Sequence, residues 1–175
     1  MAAVDPSHGS KVAVWTAHAV ATGDGSAVEE RWYELDPNAG TLLQSGSVSA
    51  SPLFVWNGAI SPDRNGTTQS FGGRWAMSVS TSSASTYPAI QVVWEHADGS
   101  QSLLTNLVQA TGPNVDFSCT DTGTCRWGDY SGASPDPGAT GAVGKVWLGN
   151  QYNLANGSTS STSWRTRVFA VTPTG

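Results

Sequence analysis

Charged residues are scarce in this chain of 175 residues: Asp, Glu, Lys and Arg together account for 12% of it, and the formal net charge is −5. The sequence lacks a cluster of Lys and Arg of the kind that neutralises a phosphate backbone, so we expect no nucleic-acid partner. It also lacks an apolar run that approaches the length of a membrane span. No segment combines a helical period with capping residues, which makes a helical fold unexpected.

Cysteine is nearly absent as well, with Cys119 and Cys125 as the only two. Their spacing, and the scattered positions of the three histidines, do not fit a zinc site, and we expect neither a metal nor a cofactor. A local disulfide is the favoured prediction, with two free thiols as the alternative. A disulfide would indicate an oxidising compartment, most simply after secretion. The N-terminal residues do not form a signal peptide, so we expect the leader of a secreted protein to be absent from this sequence.

Segments in which apolar and polar residues alternate are frequent in the chain. Lys11 to Val20 alternates with a period of two and contains strong strand formers, which predicts a β-strand. Similar segments, separated by turns rich in Gly, Pro and Asp, predict strands at 28–35, 41–49, 53–60, 74–80, 89–96, 102–110, 127–133, 145–151 and 164–171. We place turns at 61–66 and 134–144. The sequence therefore predicts a single all-β domain over residues 1–175.

A repeat organises these strands. Asp5, Asp63 and Asp136 each lie in a turn that is followed, ten to twelve residues later, by a tryptophan in a strand. Those tryptophans are Trp15, Trp75 and Trp147, and the next strand of each unit carries Trp32, Trp94 or Trp164. The recurrence favours a β-propeller fragment of about three blades, at 1–52, 53–112 and 126–175, with a cysteine loop at 113–125. A β-sandwich is the alternative.

Three blades are fewer than the four to eight with which propellers usually close. We therefore expect one of three arrangements: missing blades in a longer parent chain, pairing with a second copy in a homo-oligomer, or exposed edges.

The turns and the segment around Trp127 carry a resemblance to a known family. Ala133-Ser134-Pro135-Asp136-Pro137, followed by Lys145-Val146-Trp147, resembles a strand junction in secreted bacterial β-propellers with sialidase-like BNR, or Asp-box, repeats. The segment Arg126-Trp127-Gly128-Asp129-Tyr130-Ser131 is similar to one that is common in a subgroup of them. The residues from Ser134 to Thr140 nearly spell an Asp-box, with Gly141 in place of its tryptophan. An Asp-box is structural, so the resemblance implies a fold and no activity.

Arg126, Asp129 and Tyr130 are the residues that an enzyme of the sialidase type would need: an arginine for a carboxylate, an acid and a tyrosine nucleophile. In a strand, however, Arg126 and Tyr130 share one face and Asp129 points away from them. The favoured interpretation is that Asp129 holds the backbone of a neighbouring strand and that Tyr130 packs between blades.

Two further sets of residues have a structural and a functional interpretation. Glu29, Glu30 and Glu34 could pair as catalytic carboxylates, but a charged hairpin edge that discourages sheet pairing is favoured. Trp56 and Trp127 begin strands near loops, where an exposed indole could stack on a sugar, as could Tyr130. The tryptophans in strand centres are expected in the core: Trp15, Trp75, Trp94 and Trp147.

We therefore expect an extracellular β-propeller segment that acts as a carbohydrate- or protein-binding or scaffold module rather than an enzyme. A sialidase-type glycoside hydrolase is the first alternative. A structural repeat that associates with itself is the second.

Overall fold

A computed structural model describes residues 2–5, 9, 11–65, 71–121, 123–141, 143–155 and 163–174. These residues have an all-β fold, as predicted, and form three small antiparallel sheets. The described residues contain no helix that is long and apolar enough to cross a membrane.

The first sheet contains four strands in chain order: β1 (Ala2–Asp5), β2 (Lys11–Ala21), β3 (Val28–Asp36) and β4 (Thr41–Val48). Each is antiparallel to the next. β1 was not predicted, because four residues are too few to display a period of two. The other three strands were predicted from their strand-forming residues and the turns that separate them.

The second sheet repeats this order with β5 (Phe54–Arg64), β6 (Phe71–Ser82), β7 (Ala89–Trp94) and β8 (Thr105–Gln109). The turn predicted at 61–66 begins too early, since Ser61 pairs with Ala76 and Pro62 with Trp75. A proline is tolerated here because β5 is an edge strand and its register shifts directly after Pro62.

The third sheet has three strands, β9 (Gly132–Pro135), β10 (Val146–Asn153) and β11 (Trp164–Val171), with β10 in the centre. The strand predicted at 127–133 is wrong over most of its length, because the strand begins only at Gly132. Ser134 and Pro135 belong to β9, so the turn predicted at 134–144 also starts too early. A single helical turn, α1 (Ser118–Asp121), lies in the connection between β8 and β9.

The second sheet packs against the other two. Trp75, Met77 and Val79 of β6 share a core with residues of the first sheet. Ala76, on the opposite face of β6, joins a second core with Val146 and Leu148 of the third sheet. Because successive side chains of a strand point to opposite faces, β6 contributes to both cores.

The tryptophans follow this packing. Trp15 and Trp75 are buried, as predicted, and the ring centroids of Trp32 and Trp75 lie 4.5 Å apart across the contact of the first two sheets. Trp94 is partly buried against the second core. Trp147 was expected in the core but is 43% exposed, because it alternates with Val146 and Leu148 and so faces away from the second sheet.

The three aspartates of the repeat lie at equivalent places, at or next to the end of the first strand of each sheet. Asp63 is buried, and its carboxylate accepts the backbone N–H of Arg74 at 2.9 Å and that of Gly144 at 3.2 Å. Burial raises the pKa of Asp63. The Asp136 carboxylate accepts the N–H of Gly138 at 2.9 Å. Asp63 therefore ties the second sheet to the third, whereas Asp136 stabilises its own turn.

Buried carboxyl groups occupy the contact between the first and second sheets. Glu30 and Glu34 are both buried, so the prediction of a charged hairpin edge is wrong for them. They alternate along β3 with Trp32, which places all three on the face that meets the second sheet. Burial raises the pKa of Glu30 to about 7. Burial, together with a hydrogen bond to Asp5, raises the pKa of Glu34 to about 8.

Candidate functional site

The connection between β8 and β9, residues 110–131, passes from the second sheet to the third near the end of β10. Asn153, the last residue of β10, is buried and donates from its Nδ2 to the carbonyl oxygens of Gly112 and Pro113, each at 3.0 Å. Further along, Asn114 Nδ2 donates to the carbonyl oxygen of Arg126 at 3.0 Å. Asn153 therefore holds the start of the connection against the third sheet, and Asn114 joins the two halves of the connection to each other.

A disulfide between Cys119 and Cys125 closes a ring in this connection, as the sequence predicted. Just before it, the buried Asp116 caps α1, since its Oδ1 accepts the backbone N–H of Ser118 at 2.9 Å. The Ser118 hydroxyl donates to the same carboxylate oxygen and accepts the backbone N–H of Arg126 at 2.8 Å. The ring thereby joins α1 to the segment that starts at Arg126.

An open groove of about 360 Å³ lies beside this ring. Three of its aromatic side chains are exposed: Tyr130 (88%), Phe117 (61%) and Trp164 (45%). We call it the aromatic groove, and its remaining lining residues are Asp116, Ser118, Arg126, Trp127, Gly128, Asp129 and Gln151. Aromatic surface and a few polar groups thus meet in one concave site.

Arg126 and Asp129 form an ion pair at the groove. The Nη2 of Arg126 lies 2.9 Å from Oδ1 and 2.7 Å from Oδ2 of Asp129. The expectation that the two point to opposite faces is wrong, because this segment is not a strand. In the described part of the chain, the carboxylate of Asp129 pairs with Arg126 and not with a strand, and Tyr130 is too exposed to pack between sheets. In the described part of the chain, Arg126 is the one arginine that lines the groove.

A polar network lies beneath Trp127. Its Nε1 donates to the Ser80 hydroxyl at 3.0 Å, and that hydroxyl donates to Asn150 Oδ1 at 3.2 Å. Asn150 also accepts from Asn57 Nδ2 at 3.3 Å. Ser80 and Asn150 are buried, so satisfied hydrogen bonds fix the indole of Trp127 between the second and third sheets.

Two backbone positions next to this network, Asn57 and Gly128, have unusual local geometry. Asn57 has a φ of 56° and lies where the register of β5 shifts. A Cβ at Gly128 would lie 3.0 Å from Gln151 Oε1 and 3.2 Å from Asn57 Nδ2, so a side chain there would press on both. Trp56 does not line the groove but supports it, with its ring edge-on to Trp127 at 6.3 Å between centroids.

The charged groups that line the groove are already engaged with one another or with neighbouring side chains. Arg126 and Asp129 neutralise each other, and Asp116 is engaged by Ser118. Among the described residues, no three His, Cys, Asp or Glu side chains lie together in a way that could hold a metal ion. The site therefore offers stacking surfaces and neutral hydrogen bonding.

Four of the residues that line the groove were predicted as candidate site residues from the sequence, and two of its exposed aromatics were not. Arg126, Trp127, Asp129 and Tyr130 were named because the segment is dense in functional side chains. Phe117 and Trp164 were missed. An aromatic in a loop of small and polar residues is a signal that could have identified Phe117. For Trp164 the sequence holds no such signal, because its exposure depends on how β11 is placed.

Comparison with known proteins finds no family model that matches the chain, and no curated protein or solved structure with significant similarity to it.

Proposed function

We propose that this protein is an extracellular carbohydrate-binding module and that its ligand, a neutral glycan, lies in the aromatic groove. The observation that carries the proposal is the exposure of Phe117, Tyr130 and Trp164 around one concave site. Exposed aromatics that converge in a groove are costly in water unless a partner covers them. The disulfide is compatible with an extracellular location.

The chemistry of a sugar fits this lining. A pyranose ring presents C–H groups on its faces, which pack on aromatic rings, and hydroxyl groups around its edge, which bond to amides and paired ions. Gln151 and the Arg126–Asp129 pair supply those polar partners. Since the pair carries no net charge, a neutral sugar suits the groove better than an acidic one.

A protein ligand is the weaker alternative. Stable protein interfaces bury about 800 Å² on each partner and centre on a fully desolvated anchor. A groove of about 360 Å³ is instead close to the lower end of small-ligand sites.

We further propose that the three sheets are consecutive blades of a β-propeller. Two features support this arrangement: the sheets follow one another in chain order, and Asp5, Asp63 and Asp136 end equivalent strands. The middle sheet is covered on both faces, as a blade between two neighbours would be.

Truncation of Trp164 tests the carbohydrate site. In a screen of immobilised neutral glycans followed by calorimetry, we expect the parent to bind and Trp164→Ala to lose about tenfold in affinity, which corresponds to about 1.4 kcal/mol. Tyr130→Ala should show a similar loss, whereas Tyr130→Phe should retain most of the affinity because it keeps the ring.

Trp147→Ala is the matched control. Trp147 is 43% exposed, close to the 45% of Trp164, but it lies on β10 and outside the groove. Its truncation should leave affinity unchanged. The proposal is wrong if the parent binds no neutral glycan, or if Trp147→Ala weakens binding as much as Trp164→Ala does.

A further inference from the structure

A second hollow, of about 450 Å³, lies next to the hairpin that joins β6 and β7. Residues 82–88 of the hairpin form one side of it, and Pro113 and Asn114 form the other. Tyr87 is 49% exposed and provides its aromatic surface. We call this site the hairpin hollow.

The hairpin hollow and the aromatic groove have no lining residue in common, but the β8–β9 connection contributes residues to both. Pro113 and Asn114 belong to the same β8–β9 connection that contributes Phe117, Arg126 and Tyr130 to the groove. Asn114 lines the hollow, and its amide donates to the carbonyl oxygen of Arg126, which lines the groove. The carbonyl of Pro113 is held by the buried Asn153. Hydrogen bonds therefore fix the position of the connection that lines both sites.

Like the groove, the hairpin hollow combines aromatic surface with hydrogen-bonding groups, but it lacks the charged side chains that line the groove. It carries one exposed aromatic, one amide and several hydroxyl groups, and none of its described lining residues is charged. Ser83 orders the hairpin through hydrogen bonds with Ser85, at 3.2 Å, and with Thr86, at 2.7 Å. Hydroxyls and an aromatic at an uncharged site suit a second sugar unit in the way that the groove suits a first.

We infer that the ligand is an extended chain, a linear neutral oligo- or polysaccharide that occupies the aromatic groove and the hairpin hollow together and packs against Tyr87 in the hollow. This inference rests on the proposed function, and it adds that the binding face has at least two sugar subsites in series. Each further subsite raises affinity only when a single chain can reach it, since the second contact is then intramolecular.

The test uses the best neutral glycan from the screen as a series of one to six sugar units, measured by calorimetry. We expect affinity to rise by about tenfold or more between the shortest unit that binds and the hexamer. Tyr87→Ala should abolish that rise while leaving the affinity for the shortest binder within about twofold. Trp164→Ala should weaken binding of both the shortest binder and the hexamer.

Leu103→Ala is the control, because Leu103 is 89% exposed and lies on the connection between β7 and β8, outside both sites. It should leave the series unchanged. An affinity that does not depend on chain length, or a Tyr87→Ala variant with the full rise, overturns the extended-chain inference while the groove stands. Absence of binding to every glycan removes the proposed function itself.

Discussion

Glu34 shows how a single side chain couples stability to pH. It is buried at the contact of the first two sheets, where Gln44 Nε2 donates to its Oε2 at 2.7 Å. Burial, the hydrogen bond to Asp5 and the charges of Asp5 and Glu95 raise its pKa to about 8. At neutral pH the protonated form is therefore favoured, and ionisation would place a charge among carboxyl groups.

We predict that the protein loses stability as pH rises from 5 to 8.5. The folded pKa of Glu34 exceeds its ordinary value of 4.5, so its contribution is fully present below about 4.5 and is lost as pH rises through about 8. Glu30, with a pKa raised to about 7, also contributes stability that is lost as pH rises through that value. Denaturant unfolding at several pH values gives the slope of the free energy of unfolding against pH. Glu34→Gln should reduce the size of that slope by up to about 1.4 kcal/mol per pH unit.

Glu29→Gln is the control on the same strand. Glu29 faces away from the second sheet and lies 2.9 Å from the Nε of Arg31. Its replacement should leave the pH slope unchanged. A parent whose stability is flat or rises over this range would contradict the assignment of a protonated Glu34.

Burial of Glu30 and Glu34 was within reach of the sequence, whereas the exposure of Trp147 was not. A period of two places both glutamates on the face of Trp32, and the prediction of a charged edge was wrong because it placed charged residues outside, where they usually lie. Trp15, Trp75 and Trp147 occupy matching strands of the repeat. Two are buried and one is exposed because the second sheet covers only one face of the third, which local sequence does not encode.

At the scale of elements, the strands were predictable and the connection that builds the site was not. Strands β2 to β4 and β11 were predicted with ends correct to within one residue. Residues 127–131 were also taken as a strand. In the fold they follow long-range bonds instead, such as the one from Trp127 to Ser80. Tertiary contacts override a weak local preference in such a segment.

The disulfide ring offers a prediction at this scale. Replacing Cys119 and Cys125 together by serine should lower the free energy of unfolding by about 2 kcal/mol. It should also weaken glycan binding by about tenfold, because α1, and with it Phe117, would no longer be joined covalently to the segment that carries Arg126 and Tyr130. Calorimetry with the best glycan and denaturant unfolding measure the two effects separately.

Asp121→Asn is the comparison for the ring, since Asp121 is exposed within it and forms no part of the groove lining. It should bind as the parent does. If the double serine variant loses stability but binds with full affinity, the ring has no role in shaping the groove.

The whole molecule is a series of sheets in which the middle one carries both cores. The positions of aspartates and tryptophans predicted three units in sequence, and the described residues form three sheets whose first strands end at or next to Asp5, Asp63 and Asp136. The contacts between sheets depend on which faces meet, and a repeat alone cannot specify them. Because β6 has side chains in both cores, loss of one core removes packing from the strand that supports the other.

This coupling predicts how a glycine-to-alanine substitution, which adds a methyl group, changes stability where the second and third sheets meet. A Cβ at Gly144 would overlap the backbone of Arg64, including its carbonyl group, whereas a Cβ at Gly149 would lie 3.8 Å from Val168 Cγ2. Gly144→Ala should therefore destabilise the fold by about 1 to 3 kcal/mol, and Gly149→Ala by much less. Since the cores share β6, unfolding followed by tryptophan fluorescence and by far-ultraviolet circular dichroism should remain one coincident transition at a lower denaturant midpoint. An early separate transition in Gly144→Ala would mean instead that the third sheet unfolds on its own and that the sheets are not cooperatively coupled.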